Sequence, residues 1–89
     1  MTRSIKIYST GYCPFCRNAK ALFNQLSLPF EDISLDHDPE TWERLSKENG
    51  GWRTVPMIFV GEKFLGGYTD VAQLHAKGKL LPLVNGEES

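Results

Sequence analysis

The sequence predicts a small α/β domain, in which one mixed four-stranded sheet is flanked by helices in the order βαβαββα. Two observations predict this fold. Segments in which apolar and polar residues alternate, which is typical of strands, are separated by segments with apolar residues at helical spacing. Two short apolar runs near residue 60 are joined by a tight turn, which indicates a β-hairpin. The 89 residues are enough for a single domain, 1–89, with one modest core.

The first half of the chain predicts a strand, a helix, a second strand and a second helix. Residues 4–9 and 30–35 alternate between apolar and polar side chains, as strands do. Across residues 14–26 the apolar residues recur at helical spacing, and the Leu28-Pro29 step is the predicted end of this helix. Residues 39–49 predict a second helix, which begins at a proline and ends before two glycines.

The second half predicts a hairpin and a last helix. Residues 57–61 and 63–65 form the two predicted strands of the hairpin, and residues 68–76 form the predicted helix. The last five residues, 85–89, are expected to fray. Both later helices are preceded by or begin with side chains that can cap a helix N-terminus. The expected N-cap is Asp36 or Asp38 for the second predicted helix and Thr69 or Asp70 for the last one.

Composition excludes several classes of partner. A net charge of −1 gives no broad basic field for nucleic acid. No apolar run is long enough for a bilayer or for the core of a signal peptide, so we expect a cytoplasmic protein that does not bind a membrane. The histidines, His37 and His75, are not spaced as metal ligands, and no metal site is predicted. Several aromatic residues are better explained by packing than by base stacking: Trp42, Trp52, Phe59 and Phe64.

Cys13 and Cys16 carry the chemistry that the sequence predicts. Two cysteines are too few for the disulfide scaffold of a secreted mini-protein, and a pair three residues apart is typical of a redox-active site. Cys13 stands at the predicted start of the first helix, where unpaired N–H groups and the helix dipole stabilise a thiolate and lower the pKa of a thiol. Pro14 suits the first turn of a helix. A zinc site and two inert thiols are the alternatives. Zinc normally takes four ligands, and beyond the two cysteines the chain offers only His37 and His75.

Three motifs resemble the glutaredoxin family. CPFC (13–16) follows the first predicted strand, TVP (54–56) precedes the third, and GGYTD (66–70) opens the last predicted helix. From about residue 5 to residue 83 the chain is therefore similar to a dithiol glutaredoxin, which has a thioredoxin-like fold. The resemblance implies a glutathione-dependent thiol–disulfide oxidoreductase in which Cys13 attacks and Cys16 resolves the mixed disulfide. It implies protein disulfides and glutathionylated proteins as substrates, with ribonucleotide reductase as one candidate, and we expect a monomer.

The same resemblance implies a binding site for glutathione, the co-substrate. Pro56 matches a cis-proline, and Val55 matches a residue whose backbone pairs with the cysteinyl unit of the substrate. Thr69 and Asp70 match residues that hold the γ-glutamyl end, and Arg53 matches a basic residue suited to the glycine carboxylate. The implied glutathione-binding set is Phe15, Arg53, Thr54, Val55, Pro56, Gly67, Thr69 and Asp70.

The chain departs from the family pattern at Thr10 and Tyr12. Many members carry a lysine at the first position and a small or polar residue at the second. The departure at Thr10 leaves open a glutaredoxin-like electron donor that thioredoxin reductase reduces. An iron–sulfur cluster carrier, in which Cys13 and glutathione ligate a shared cluster, is a further alternative. Relatives of that kind usually lack the equivalent of Pro14 or of Cys16, so both residues count against it.

Overall fold

The computed structural model describes residues 3–11 and 13–86, which form four strands and four helices. The strands are Ile5–Ser9 (β1), Glu31–Ser34 (β2), Met57–Val60 (β3) and Lys63–Gly66 (β4). The helices are Pro14–Gln25 (α1), Pro39–Glu48 (α2), Tyr68–Ala76 (α3) and Leu80–Asn85 (α4). None of the helices in the described ranges is long and apolar enough to span a bilayer.

The four strands form one mixed sheet in the order β2-β1-β3-β4. β2 pairs parallel to β1, whereas β3 runs antiparallel to both β1 and β4. Ile7 in the centre of β1 lies opposite Ile58 of β3 and Asp32 of β2. The structure confirms the predicted fold class, and it places the end of the central strand β1 directly before the cysteine loop.

The core lies on one face of the sheet. Alternation points Ile7 of β1 and Ile58 of β3 toward α1, α3 and α4, and both side chains are fully buried. α1 contributes Ala19 and Phe23 at helical spacing, which is the stripe that the sequence predicted. The cluster of buried residues on this face comprises Ile5, Ile7, Ala19, Phe23, Ile58, Val60, Val71, Leu80, Leu83 and Val84. Leu35, Leu45 and Met57 are buried outside this cluster.

Most element boundaries differ from the sequence prediction by one residue. α1 ends at Gln25, three residues before the Leu28-Pro29 step, since Ser27 adopts a left-handed conformation with φ +57°. β2 spans only Glu31–Ser34, rather than residues 30–35. At α2 the prediction of Asp38 as N-cap is confirmed: its carboxylate accepts a hydrogen bond from the Thr41 N–H at 3.1 Å.

The N-cap predicted for the last long helix was wrong. Gly67 caps α3, and Thr69 and Asp70 lie inside its first turn. The Asp70 carboxylate reaches back and accepts a hydrogen bond from the Gly67 N–H at 3.0 Å. The Asp70 carboxylate, three residues into the helix, therefore satisfies the backbone N–H of the N-cap residue Gly67.

α4 was not predicted. It has only six residues, contains Pro82, and is separated from α3 by Gly78 in a left-handed conformation. Leu80 and Leu83 are nevertheless buried in the core. Arg3 holds this helix against the start of the sheet, because its backbone N–H donates to the Val84 carbonyl at 2.7 Å. The element order is therefore βαβαββαα, with one helix more than predicted. In the segment 85–89, which was expected to fray, Asn85 belongs to α4, and 87–89 lie outside the described residues.

Asp32 links the sheet to α1. One of its carboxylate oxygens accepts a hydrogen bond from the Ser9 hydroxyl at 2.7 Å, and the other lies 2.6 Å from the Lys20 ammonium. Partial burial disfavours the charged form of Asp32, but the hydrogen bonds from Lys20 and Ser9 outweigh this effect and lower the pKa of the carboxyl group. The cluster therefore connects β2, the end of β1 and the helix that carries the cysteines.

We expect Phe23→Ala to lower the free energy of unfolding by about 3–5 kcal/mol, because a fully buried ring is replaced by a cavity. The ring of Phe23 also packs against Phe30, with centroids 6.1 Å apart. Urea unfolding followed by circular dichroism measures the difference. Asn24→Ala, an exposed neighbour on the same helix, is the control and should change stability by less than about 0.5 kcal/mol. Equal losses in the two variants would contradict the assigned core.

We expect the destabilisation caused by Asp32→Asn to depend on pH. The pKa of Asp32 is lowered in the folded chain, so its charge stabilises the fold above the unfolded value of about 3.9, and this contribution disappears as pH falls through the folded pKa. At pH 7 the variant should be less stable by about 0.5–1 kcal/mol, since the ion pair is partly exposed. Urea unfolding at pH 7 and pH 3 checks this. A difference that grows toward acid would refute it.

Candidate active site

The two cysteines lie at the N-terminus of α1, as predicted. Cys13 is the N-cap residue in an extended conformation, and Pro14 occupies the first turn. The Cys16 N–H donates a hydrogen bond to Cys13 Sγ at 3.0 Å. The two side chains form a disulfide whose Cα atoms are 5.1 Å apart, a separation that disulfides span without backbone movement. The strand-to-helix turn therefore brings both sulfurs together and aims a backbone donor at one of them.

Both cysteines are buried, Cys16 more completely than Cys13. Cys13 is 8 % exposed, whereas Cys16 is only 1 % exposed and packs on the inner side of α1. Phe15 between them is the most exposed large apolar residue among those described, at 56 %. A substrate that approaches this turn therefore meets Cys13 and Phe15 first.

The TVP segment faces the cysteine pair. Cys13 Sγ lies 3.5 Å from the Val55 carbonyl oxygen, and the Val55–Pro56 peptide bond is cis, as the resemblance implied. Within residues 3–11 and 13–86, the Val55 N–H has no hydrogen-bond acceptor. One backbone edge is therefore available to an extended ligand directly beside the reactive sulfur.

A groove of about 420 Å³ opens in front of the TVP segment. Its volume falls within the range of about 300–1,000 Å³ that is usual for small-molecule sites. It is lined by Phe15, Trp52, Thr54, Val55, Pro56, Gly67, Tyr68, Thr69 and Asp70. The structure thus gathers every residue of the glutathione-binding set except Arg53 around one cavity. Arg53 lines a neighbouring groove along α2.

Asp70 and Gly66 fit closely together at one end of the groove. Asp70 is exposed at the start of α3, where its carboxylate also accepts the Gly67 N–H. Gly66 has φ +104°, and a Cβ built there would lie only 2.5 Å from Asp70 Oδ2. The positive φ favours glycine at this position, and any side chain there would have to displace the Asp70 carboxylate, which lines the groove.

Trp52 lines the groove, a role that the sequence did not reveal. Packing was predicted for it, and its ring does pack on Phe64 in an edge arrangement with centroids 5.3 Å apart. In addition, its Nε1–H donates to the Thr54 carbonyl at 3.0 Å, and its ring edge borders Gly67. Trp52 therefore holds the TVP segment through a hydrogen bond to the Thr54 carbonyl, and its side chain lines the groove. A tryptophan two residues before TVP was the only available signal.

Asp36 anchors the cysteine loop, a role that the sequence did not predict. Both of its carboxylate oxygens accept the Gly11 N–H at 3.1 Å, and the Ser34 hydroxyl donates to one of them at 3.1 Å. Asp36 is therefore not a cap of α2. Thr10, where many family members have lysine, is half-buried beside this loop, and Tyr12 lies outside the described residues.

No group of three or more potential metal-ligating side chains is found in the part of the chain that the structure describes. His37 and His75 are both exposed.

Comparison with known proteins agrees with this geometry. The family model described as glutaredoxin matches residues 5–65. The chain belongs to the glutaredoxin family. It is 43 % identical to glutaredoxin-C6 of Oryza sativa subsp. japonica over 82 residues, which cover 90 % of this chain and 73 % of the relative. It is 34 % identical to a probable glutaredoxin of Synechocystis, over 96 % of this chain and 97 % of that protein.

Solved glutaredoxin structures share the fold. A buckwheat glutaredoxin–glutathione complex superposes with a TM-score of 0.89 at 33 % identity, covering 94 % of this chain and 78 % of that one. A glutaredoxin from Brucella melitensis gives 0.86 at 31 % identity, covering 99 % and 95 % of the two chains. With its CxxC pair on this fold, this glutaredoxin is a thiol–disulfide oxidoreductase.

We expect Trp52→Phe to lower kcat/KM for a small disulfide substrate by about three- to ten-fold. The variant keeps an aromatic wall but loses the donor to the Thr54 carbonyl, a hydrogen bond worth about 1 kcal/mol. A coupled NADPH assay should show the change mainly in KM, because the reacting cysteines are untouched. Phe30→Leu, which loses aromatic packing away from the groove, is the control for general loosening. An equal effect in both variants would remove the specific role of Trp52.

Proposed function

We propose that this glutaredoxin uses glutathione to reduce protein disulfides and glutathione mixed disulfides, with Cys13 as the nucleophile and Cys16 as the resolving thiol. The observation that carries the proposal is the position of Cys13 Sγ, 3.5 Å from the Val55 carbonyl at the edge of the groove that ends at Asp70. A sulfur, a backbone edge and a carboxylate therefore stand in the order that a cysteine-containing peptide with a free ammonium group requires.

The groove supports glutathione as the ligand. An extended tripeptide can pair with the backbone of Val55, while Asp70 binds the ammonium group of the γ-glutamyl end. The N-terminus of α3 at Thr69 suits the neighbouring α-carboxylate, because free N–H groups and the helix dipole favour an anion there. Arg53, which directly precedes the TVP segment, is left for the glycine carboxylate. The similar buckwheat structure is a complex with glutathione, which is consistent with this assignment.

Reduction of a glutathione mixed disulfide needs Cys13 alone. After the Cys13–Cys16 disulfide has been reduced, the thiolate of Cys13 attacks the glutathione sulfur of the substrate, and the released protein thiolate takes up a proton. The Cys16 N–H, 3.0 Å from Cys13 Sγ, stabilises the charge on the nucleophile before attack. A second glutathione thiolate then attacks the bound glutathione sulfur, which releases oxidised glutathione and restores the thiolate of Cys13.

Reduction of a protein disulfide uses both cysteines. Cys13 first forms a mixed disulfide with one substrate sulfur, and the other substrate sulfur leaves as a thiolate. The buried Cys16, in its thiolate form, then attacks Cys13 Sγ, which frees the reduced substrate and regenerates the Cys13–Cys16 disulfide. Two molecules of glutathione return the pair to the dithiol, so each cycle transfers two electrons.

We propose that the protein acts as a monomer in the cytoplasm, where a reducing glutathione pool keeps such a pair active. Ribonucleotide reductase and glutathionylated proteins are the candidate substrates.

Replacing each cysteine separately tests the two routes. With a small glutathione mixed disulfide, glutathione reductase and NADPH, Cys13→Ser should lose all activity, whereas Cys16→Ser should keep a substantial part of it. With a protein disulfide, both variants should be inactive, because release of the substrate needs the second thiol. A wild type that is inactive with glutathione but is reduced by thioredoxin reductase would overturn the proposed dependence on glutathione.

Asp70→Asn should raise the KM for glutathione by about three- to ten-fold and change kcat little. The amide keeps an acceptor for the Gly67 N–H but loses the charge that pairs with the ammonium group, and an exposed pair contributes modestly. Steady-state assays at varied glutathione concentration measure this. Glu62→Gln removes an equally exposed carboxylate from a different groove and should leave KM unchanged. An unaltered KM in Asp70→Asn would exclude the assigned ammonium site.

A further inference from the structure

A second groove, of about 450 Å³, runs along α2. It is lined by Pro39, Trp42, Glu43, Ser46, Lys47 and Arg53. Arg53 directly precedes Thr54, which lines the active-site groove, so adjacent residues border the two cavities. Glutathione has a single residue after its cysteine. Beyond Arg53, which the proposed function leaves for the glycine carboxylate, the α2 groove is therefore additional space that the tripeptide does not need.

The charges at the two ends of the active-site groove set the direction in which a peptide lies. Asp70 stands at the Pro56 end, because Gly67, whose N–H it binds, borders the Pro56 carbonyl. Arg53 stands at the other end of the TVP segment. An ammonium group is attracted to the first and a carboxylate to the second, so a bound peptide runs from Asp70 toward Arg53. This direction is antiparallel to residues 53–56, and it leads the residues that follow the ligand's cysteine toward α2.

The α2 groove combines an apolar surface with a surplus of positive charge. Trp42 is half-buried and offers a ring for packing, while Ser46 is buried at the base of the helix. Lys47 and Arg53 are both exposed cations, and the single acidic lining residue, Glu43, lies 3.3 Å from Lys47. One cation therefore remains in excess beside an aromatic surface, an arrangement that favours an acidic segment of polypeptide.

We propose that the α2 groove binds the polypeptide segment that follows the reactive cysteine of a protein substrate, and that it favours acidic side chains in that segment. The proposal rests on the proposed function for the direction of the ligand and for the place of its cysteine over Val55. It concerns protein disulfides, because there the substrate's own cysteine is joined to Cys13. In the exchange of a glutathione mixed disulfide, glutathione itself occupies that position.

A single-turnover experiment tests this without glutathione. The protein is reduced, separated from the reductant, and mixed with the disulfide-linked dimer of a blocked tetrapeptide. The dithiol of Cys13 and Cys16 becomes a disulfide, and each dimer yields two peptide thiols, so electrons balance. Peptide one has two glutamates after its cysteine, peptide two has two glutamates before it, and peptide three has two lysines after it. The readout is the second-order rate constant at low ionic strength, where exposed charges act most strongly.

We expect the wild type to react about three-fold faster with peptide one than with peptide two, and slowest with peptide three. Lys47→Glu should abolish the preference for peptide one, and Glu43→Lys should increase it by about two-fold. The double variant, which exchanges the two charges and keeps their sum, should behave as the wild type. Both side chains are exposed helix positions, so the fold is retained. With bis(2-hydroxyethyl) disulfide, which is too short to reach α2, all four proteins should react equally.

Equal rate constants of the wild type with peptides one and two would overturn the proposal. So would variants that change the rate constants for both peptides by the same factor, because the charge would then act regardless of its position in the peptide. A protein that lacks activity with glutathione but keeps the peptide preference would refute only the proposed co-substrate. The two proposals therefore fail on different measurements.

Discussion

The hydrogen bond from the Cys16 N–H to Cys13 Sγ is the interaction on which the site depends. It exists because α1 begins at Pro14, which leaves the amides of the first turn without carbonyl partners and directs one of them at the sulfur. Helix α1 is itself fixed by Phe23 in the core and by the Lys20–Asp32 pair at the sheet. The packing of one helix therefore determines both the distance between the sulfurs and the field that the reactive sulfur experiences.

The second constraint is the meeting of three distant segments. The cysteine turn, the TVP segment and the start of α3 are each short, and none forms a groove alone. The sheet brings them together because β1 ends at the cysteine turn, β3 begins just after Pro56, and β4 ends at Gly66. β1 and β3 are neighbours, and β4 pairs with β3, so one end of the sheet carries all three. Trp52 then closes the wall between them by bonding to Thr54 and bordering Gly67.

The features that were predictable from the sequence are local or belong to a known motif. The cysteine turn follows from a strand pattern, a proline and a helical stripe that are adjacent in the chain, and the lining of the groove follows from the family motifs. Trp52 and Asp36 were missed because their roles depend on partners that only folding brings close, such as Gly67 and Gly11. Helix α4 was missed because six residues carry too little periodicity, and its burial depends on the core that receives it.

The close fit between Gly66 and Asp70 has a consequence for the interpretation of natural variants. Gly66 contributes no side chain to the groove and does not line it. Any larger residue there would displace the Asp70 carboxylate, and it would also strain the end of β4 because Gly66 has a positive φ. A substitution at Gly66 therefore alters the groove through the displaced Asp70 carboxylate, although Gly66 itself does not touch a ligand there.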